Sequence, residues 1–177
     1  MYDTSNDLPA TTRRSVVDIL NEHLADAIDL QLQAKQAHWN IKGPNFVGLH
    51  ELFDKVASQA SEYGDELAER AVALGGIARG TIQAVSRQSQ LREYPLEVVD
   101  WRAHVRVMQD ALATFGRGAR KAVEDATALN DAATAEMFTR ISRGADELLS
   151  MVDAHVQNTA AEPNRADLQT ASPGRAR

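Results

Sequence analysis

At 177 residues the chain suits one domain with a sizeable core. Nineteen Lys plus Arg against 25 Asp plus Glu leave a formal charge of −6, a poor match for a protein whose main task is gripping nucleic acid. With no cysteine, disulfide scaffolds, thiolate metal sites and cysteine nucleophiles are excluded, and any metal chemistry must use His, Asp and Glu. Residues 1–10 are polar and read as a flexible N-terminal tail without a signal segment. No apolar run reaches the roughly 20 residues of a membrane helix. The expected compartment is the cytoplasm.

Pro9 with Thr11 and Thr12 marks a first helix start. Val17, Leu20, Leu24, Ile28 and Leu32 then recur at spacings of three and four, an amphipathic stripe ending near Trp39. Gly43-Pro44-Asn45 breaks it. A second helix carries Leu49, Leu52, Phe53, Val56, Ala60, Tyr63, Leu67 and Leu74, and Gly75-Gly76 stops it. Between 77 and 96, residues Thr81 to Ser89 suit a short helix and Tyr94-Pro95 a turn. The third helix shows Val98, Trp101, Val105, Met108, Leu112, Phe115, Ala119, Ala122 and Ala126, a bundle-type seam. Asn130-Asp131 offers a cap for a fourth helix with Thr134, Phe138, Ile141, Leu148 and Val152. Residues 161–177 read as a flexible C-terminal tail. The expected fold is all-α, a four-helix bundle over 11–160. A short extra helix lies in the crossover between its second and third helices.

The polar side of the second helix carries the chemistry. With about 100° per residue and His50 at zero, Asp54, Asp65 and Glu69 fall within an arc of about 100°. The apolar residues centre on the other side, so this stripe faces water or another subunit. His50/Asp54 and Asp65/Glu69 are both i, i+4 pairs that suit a shared metal, or simply a solvated face. The two pairs lie about 22 Å apart along the axis, too far for one ion. An antiparallel helix across a two-fold axis would bring them together, with His38 joining from the adjacent corner. No Glu-x-x-His motif occurs, so neither a di-iron site inside one bundle nor the in-bundle site of a rival such as a manganese catalase is supported.

The run Lys35-Gln36-Ala37-His38-Trp39-Asn40-Ile41-Lys42-Gly43-Pro44-Asn45-Phe46 continues to Leu49-His50-Glu51-Leu52-Phe53-Asp54. It reaches Asp65-Glu66-Leu67-Ala68-Glu69-Arg70 and closes at Gly75-Gly76. In these elements the chain resembles the Dps family, the DNA-protecting miniferritins, over residues 11–160. The resemblance implies a ferritin-like bundle assembled as a homododecamer of 23 symmetry from two-fold dimers. It also implies a ferroxidase whose centres lie between two-fold-related subunits, each with two iron positions. His38, His50 and Asp54 would come from one chain and Asp65 and Glu69 from its partner. Fe(II) would be oxidised to Fe(III), preferentially by hydrogen peroxide, and stored as mineral, protecting against oxidative damage. Zn(II) is the expected competitor.

Other residues take their expectations from the same resemblance. Acidic iron-entry pores near the start of the last helix would map to Asp131 and Glu136, and Asp131 equally suits a helix cap. Trp39 beside His38 is either an oxidisable side chain near the site or a packing group at the dimer seam. Arg70 supports an interfacial carboxylate or an ion pair rather than a metal, and His23, His104 and His155 are surface or packing residues. The alternative function is a nucleoid-compacting DNA binder with a secondary iron site. Its contacts would be Arg165, Arg175 and Arg177 in a tail that Glu162 and Asp167 nearly neutralise, so DNA contact is expected to be weak.

Overall fold

The computed structural model describes residues 1–157. Five helices follow in chain order: α1 (Ala10–Asn40), α2 (Phe46–Ala73), α3 (Ile82–Gln88), α4 (Trp101–Ala128) and α5 (Ala132–Gln157). No strand occurs among the described residues. The architecture is the expected four-helix bundle of α1, α2, α4 and α5, with α3 as the short helix of the crossover.

The helix pairs can be read from their contacts. Lys55 of α2 reaches Met151 of α5, Glu66 meets Arg140, and Arg70 meets Asp131, so α2 and α5 run antiparallel. Gln109 with Asp153 and Arg120 with Asp146 set α4 antiparallel to α5. One contiguous core fills the space between the helices. It includes Leu20, Leu30, Leu49, Phe53, Leu67, Met108, Leu112, Phe115, Phe138 and Ile141, all fully buried. Burying side chains of this size supplies roughly 1.5–3 kcal/mol each, which is what holds long helices together in water.

The crossover runs along α1. The Asn21 amide donates to Ile77 O at 3.0 Å and accepts from the Arg79 N–H at 2.7 Å. Further along, Asp26 accepts from the Gln90 N–H at 2.7 Å, Asp29 from the Ser89 hydroxyl at 2.6 Å, and Gln33 donates to Arg92 O at 2.9 Å. Buried Asn21 and Asp26 are thereby paired with loop backbone, and so is the Gln33 NH2 group, while the Gln33 Oε1 is buried without a partner. Burial pushes the Asp26 carboxyl above its ordinary range.

Helix ends follow local chemistry. Gly75 (φ +80°) and Asn130 (φ +59°) take the left-handed conformation that closes α2 and α4. Gly76 N–H then bonds Ala71 O at 2.8 Å, and Asp131 N–H bonds Ala126 O at 3.0 Å. Several expectations change. Pro9, not a threonine, stands at the head of α1, and no side chain caps it there. Leu32, expected in the α1 stripe, is 50% exposed beside α3. Val98, expected to open the third helix, lies in the turn after Pro95, and α4 begins at Trp101. Residues 1–9 meet the end of α2: Tyr2 N–H bonds Gly75 O at 2.7 Å, and Arg13 donates to Leu8 O at 3.1 Å and Leu74 O at 3.2 Å. The free carbonyls at the end of α2 provide the acceptors for that docking.

Candidate metal centre

His38 lies in the last turn of α1 and His50 in the second turn of α2, joined by residues 41–45. The two imidazoles fix one another. His38 Nδ1 bonds His50 O at 2.7 Å, and His50 Nδ1 bonds His38 O at 2.9 Å. A carbonyl only accepts, so both Nδ1 atoms carry the proton and both neutral rings keep an unprotonated Nε2. That tautomer is the one a metal requires, and the backbone bond is the usual device for setting it. The rings stack at 3.7 Å between centroids, and Phe46 packs on His50 at 5.0 Å.

Asp54 follows His50 by one turn and is only partly exposed. Its carboxylate accepts from the Lys35 ammonium, one turn before His38 on α1. The Lys35 hydrogen bond holds the Asp54 carboxyl below the usual carboxylate range. This half of the stripe is thus two pre-set imidazoles and an ionised carboxylate, all at one end of the α1–α2 hairpin.

Asp65 and Glu69 lie farther along the same face of α2 and are both exposed. Their neighbours are occupied: Glu66 takes Arg140, Glu62 takes the Gln59 amide, and Arg70 takes Asp131. Asp65 and Glu69 themselves hold no hydrogen bond or ion pair among the described residues. Two turns of helix present a pair of uncommitted carboxylates at i, i+4. Within one chain no group of three or more His, Asp or Glu converges among the described residues. The 15-residue separation along α2, about 22 Å, accounts for that.

A ferritin-like domain model matches residues 17–161. A DNA protection during starvation protein from Agrobacterium fabrum is 43% identical over 156 residues, covering 88% of this chain and 96% of that one. The solved Dps of Mycobacterium smegmatis superposes with a TM-score of 0.83 at 28% identity, covering 88% of this chain and 93% of its own. A Dps protein from Bacillus brevis gives 0.78 at 27%, covering 82% and 97%. The chain belongs to the Dps family.

Within that family frame the remaining candidates separate. Asp131 is only 2% exposed and caps α5. Its carboxylate accepts from Thr134 N–H at 3.1 Å, from the Thr134 hydroxyl at 2.6 Å and, on both oxygens, from Arg70 Nη2 at 2.8 and 2.9 Å. Burial alone would raise its carboxyl; the Thr134 and Arg70 bonds outweigh it and hold the group below its ordinary value. Its oxygens are thus engaged inside the subunit, in the cap role the sequence also suits. Arg70 is the ion-pair residue the sequence reading expects. Glu136 is exposed.

Trp39 is 66% exposed beside His38, and Val47 is similarly uncovered. His23 is a packing residue, its Nδ1–H donating to Ile19 O at 3.0 Å and its ring edge-on to Phe138. His104 is buried against Tyr94. Arg165, Arg175 and Arg177 lie outside the described residues. Lys35 is the residue the sequence reading quotes without assigning a role. Its position one turn before His38 is the only signal, and it becomes informative once the hairpin sets α1 against α2.

Proposed function

We propose that this Dps protein is a ferroxidase and iron store whose centres are completed between two-fold-related subunits. The observation that carries the proposal is the split ligand set on α2. One end offers two imidazoles with free Nε2 atoms, and the other offers two carboxylates with no partner among the described residues. An antiparallel partner would set His38, His50 and Asp54 against the partner's Asp65 and the partner's Glu69. The exposed Trp39 would pack at that seam.

Ferrous iron is the substrate. Imidazole and carboxylate together suit Fe(II), and the carboxylates favour the Fe(III) product. With hydrogen peroxide as oxidant, two Fe(II) give one electron each, the O–O bond breaks in a two-electron step, and two protons complete two waters. No hydroxyl radical leaves. Each centre holds two iron positions, the tighter one formed by His38 with the partner's Asp65 and the partner's Glu69. A homododecamer of 23 symmetry would enclose the ferric mineral, with Asp131 and Glu136 at the iron-entry pores and Glu136 the exposed acid of the two. The protein would act in the cytoplasm. No described helix is long and apolar enough to cross a membrane. DNA contact would be weak and secondary, confined to the arginine-bearing tail and any nucleoid association it brings.

Zn(II) provides the test. The same N/O donors hold it, and the Irving–Williams order places it above Fe(II). Excess Zn(II) added before Fe(II) should suppress the appearance of ferric absorbance. Oxidation at full rate in excess Zn(II) would overturn the ligand assignment.

A further inference from the structure

A second histidine environment lies away from the metal half-sites. His104, in the first turn of α4, is only 1% exposed. Its Nδ1 shares a hydrogen bond with the Tyr94 hydroxyl of the crossover, and its Nε2 is buried with no partner. Tyr94 and Trp101 are themselves buried, and Val105 and Met108 continue the apolar wall along α4. The titratable groups acting on the ring are Tyr94 from the crossover and Asp100 at the head of α4. Trp101 also reaches the α1–α2 turn, where a Cβ at Gly43 would lie 3.4 Å from its indole. The end of the crossover, the start of α4 and the turn between His38 and His50 thus share one packed corner.

We propose that the Tyr94–His104 contact is a pH-sensitive latch that holds the crossover on the bundle while the imidazole is neutral and lets it open when the ring takes a proton. With Nδ1–H donated to the Tyr94 oxygen, the neutral ring leaves only an acceptor lone pair, on Nε2, without a partner. The imidazolium carries two N–H donors, and the Nε2–H would point into a core with no acceptor. Relief requires residues 91–104 to move the ring to water. Burial keeps the imidazole below its ordinary range and pushes the Tyr94 hydroxyl up to about 12, so both stay neutral near pH 7. The sign follows. A base held below its unfolded value contributes stability that is intact above the ordinary histidine range and declines as pH falls below it. One proton taken up on opening raises the opening equilibrium by about tenfold per pH unit between the open and closed values.

The test is hydrogen–deuterium exchange of the full-length protein at pH 8 and pH 5, corrected for intrinsic rates, on wild type and His104→Asn. Asn supplies an amide near Nδ1 and cannot titrate in this range. Wild type should lose protection selectively over residues 91–104 on acidification, by about tenfold or more, and His104→Asn should not. An equal response in both, or no response in wild type, would overturn the latch. Should His104→Asn not fold, Cε1–H exchange of wild-type His104 still decides. A midpoint clearly below about 6.5 supports the latch, and an ordinary midpoint overturns it.

Discussion

Lys35 occupies Asp54 in the isolated subunit, so a second ferrous ion must displace an ammonium to use that carboxylate. Replacing it by Met keeps the apolar stem and removes the charge. Lys35→Met should tighten metal binding at the weaker position several-fold and leave the tighter position unchanged, as measured by anaerobic titration calorimetry. Equal affinities in wild type and variant would remove Lys35 from the account. The pair also has a pH sign. Asp54 has a lowered value when folded, so its contribution is present above the ordinary carboxylate range and is lost as pH falls through that lowered value. The stripe itself was legible in the sequence, because helix spacing alone puts His50, Asp54, Asp65 and Glu69 on one face of α2. The tautomer of the two histidines was not, because it depends on carbonyls twelve residues apart meeting across the hairpin turn.

The junction of α4 and α5 shows how an element boundary holds a charge. Asp131 caps α5 and pairs with Arg70 of α2, tying three helices at one corner. Asp131→Ala should cost about 2–3 kcal/mol, combining a lost cap with a half-buried guanidinium left unpaired. The wild-type contribution should be full above about pH 4 and fade as pH falls through the depressed value of Asp131. Chemical denaturation of both proteins at pH 7 and pH 3 checks magnitude and sign together. At Gly144 the Tyr63 ring lies so close that a Cβ would sit 1.9 Å from its hydroxyl. Tyr63 is buried and stacked near Phe115, so it has little room to retreat. Gly144→Ala should destabilise by about 1–3 kcal/mol despite the gain in helix propensity, and Tyr63→Phe in the same chain should recover most of that loss. An equal cost in both backgrounds would place the strain elsewhere. Helix count, the crossover helix and the Gly75 stop were readable from period and breaker residues. Buried Asn21, Asp26 and Gln33 were not, since their partners are backbone groups of a crossover roughly 60 residues away. Leu32 misled for the related reason that its covering element is not in the bundle.

At the scale of the whole molecule, the bundle is complete in one chain and the proposed metal centre is not. The core packs within the subunit, while Trp39, Val47, Asp65 and Glu69 stay uncovered or uncommitted around the α2 stripe. That division is what an enzyme built between copies requires, and it is why spacing alone left open whether the stripe faces water or a partner. The most direct measurement is anaerobic Fe(II) loading followed by one stoichiometric addition of peroxide, on wild type and on Asp65→Asn with Glu69→Gln. Those two carboxylates are exposed, so the bundle should fold unchanged in the variant. The account predicts saturable Fe(II) binding and rapid ferric absorbance at about one peroxide per two iron in wild type, both lost in the variant. Equal binding and oxidation in the two proteins, or no saturable Fe(II) binding in wild type, would contradict it.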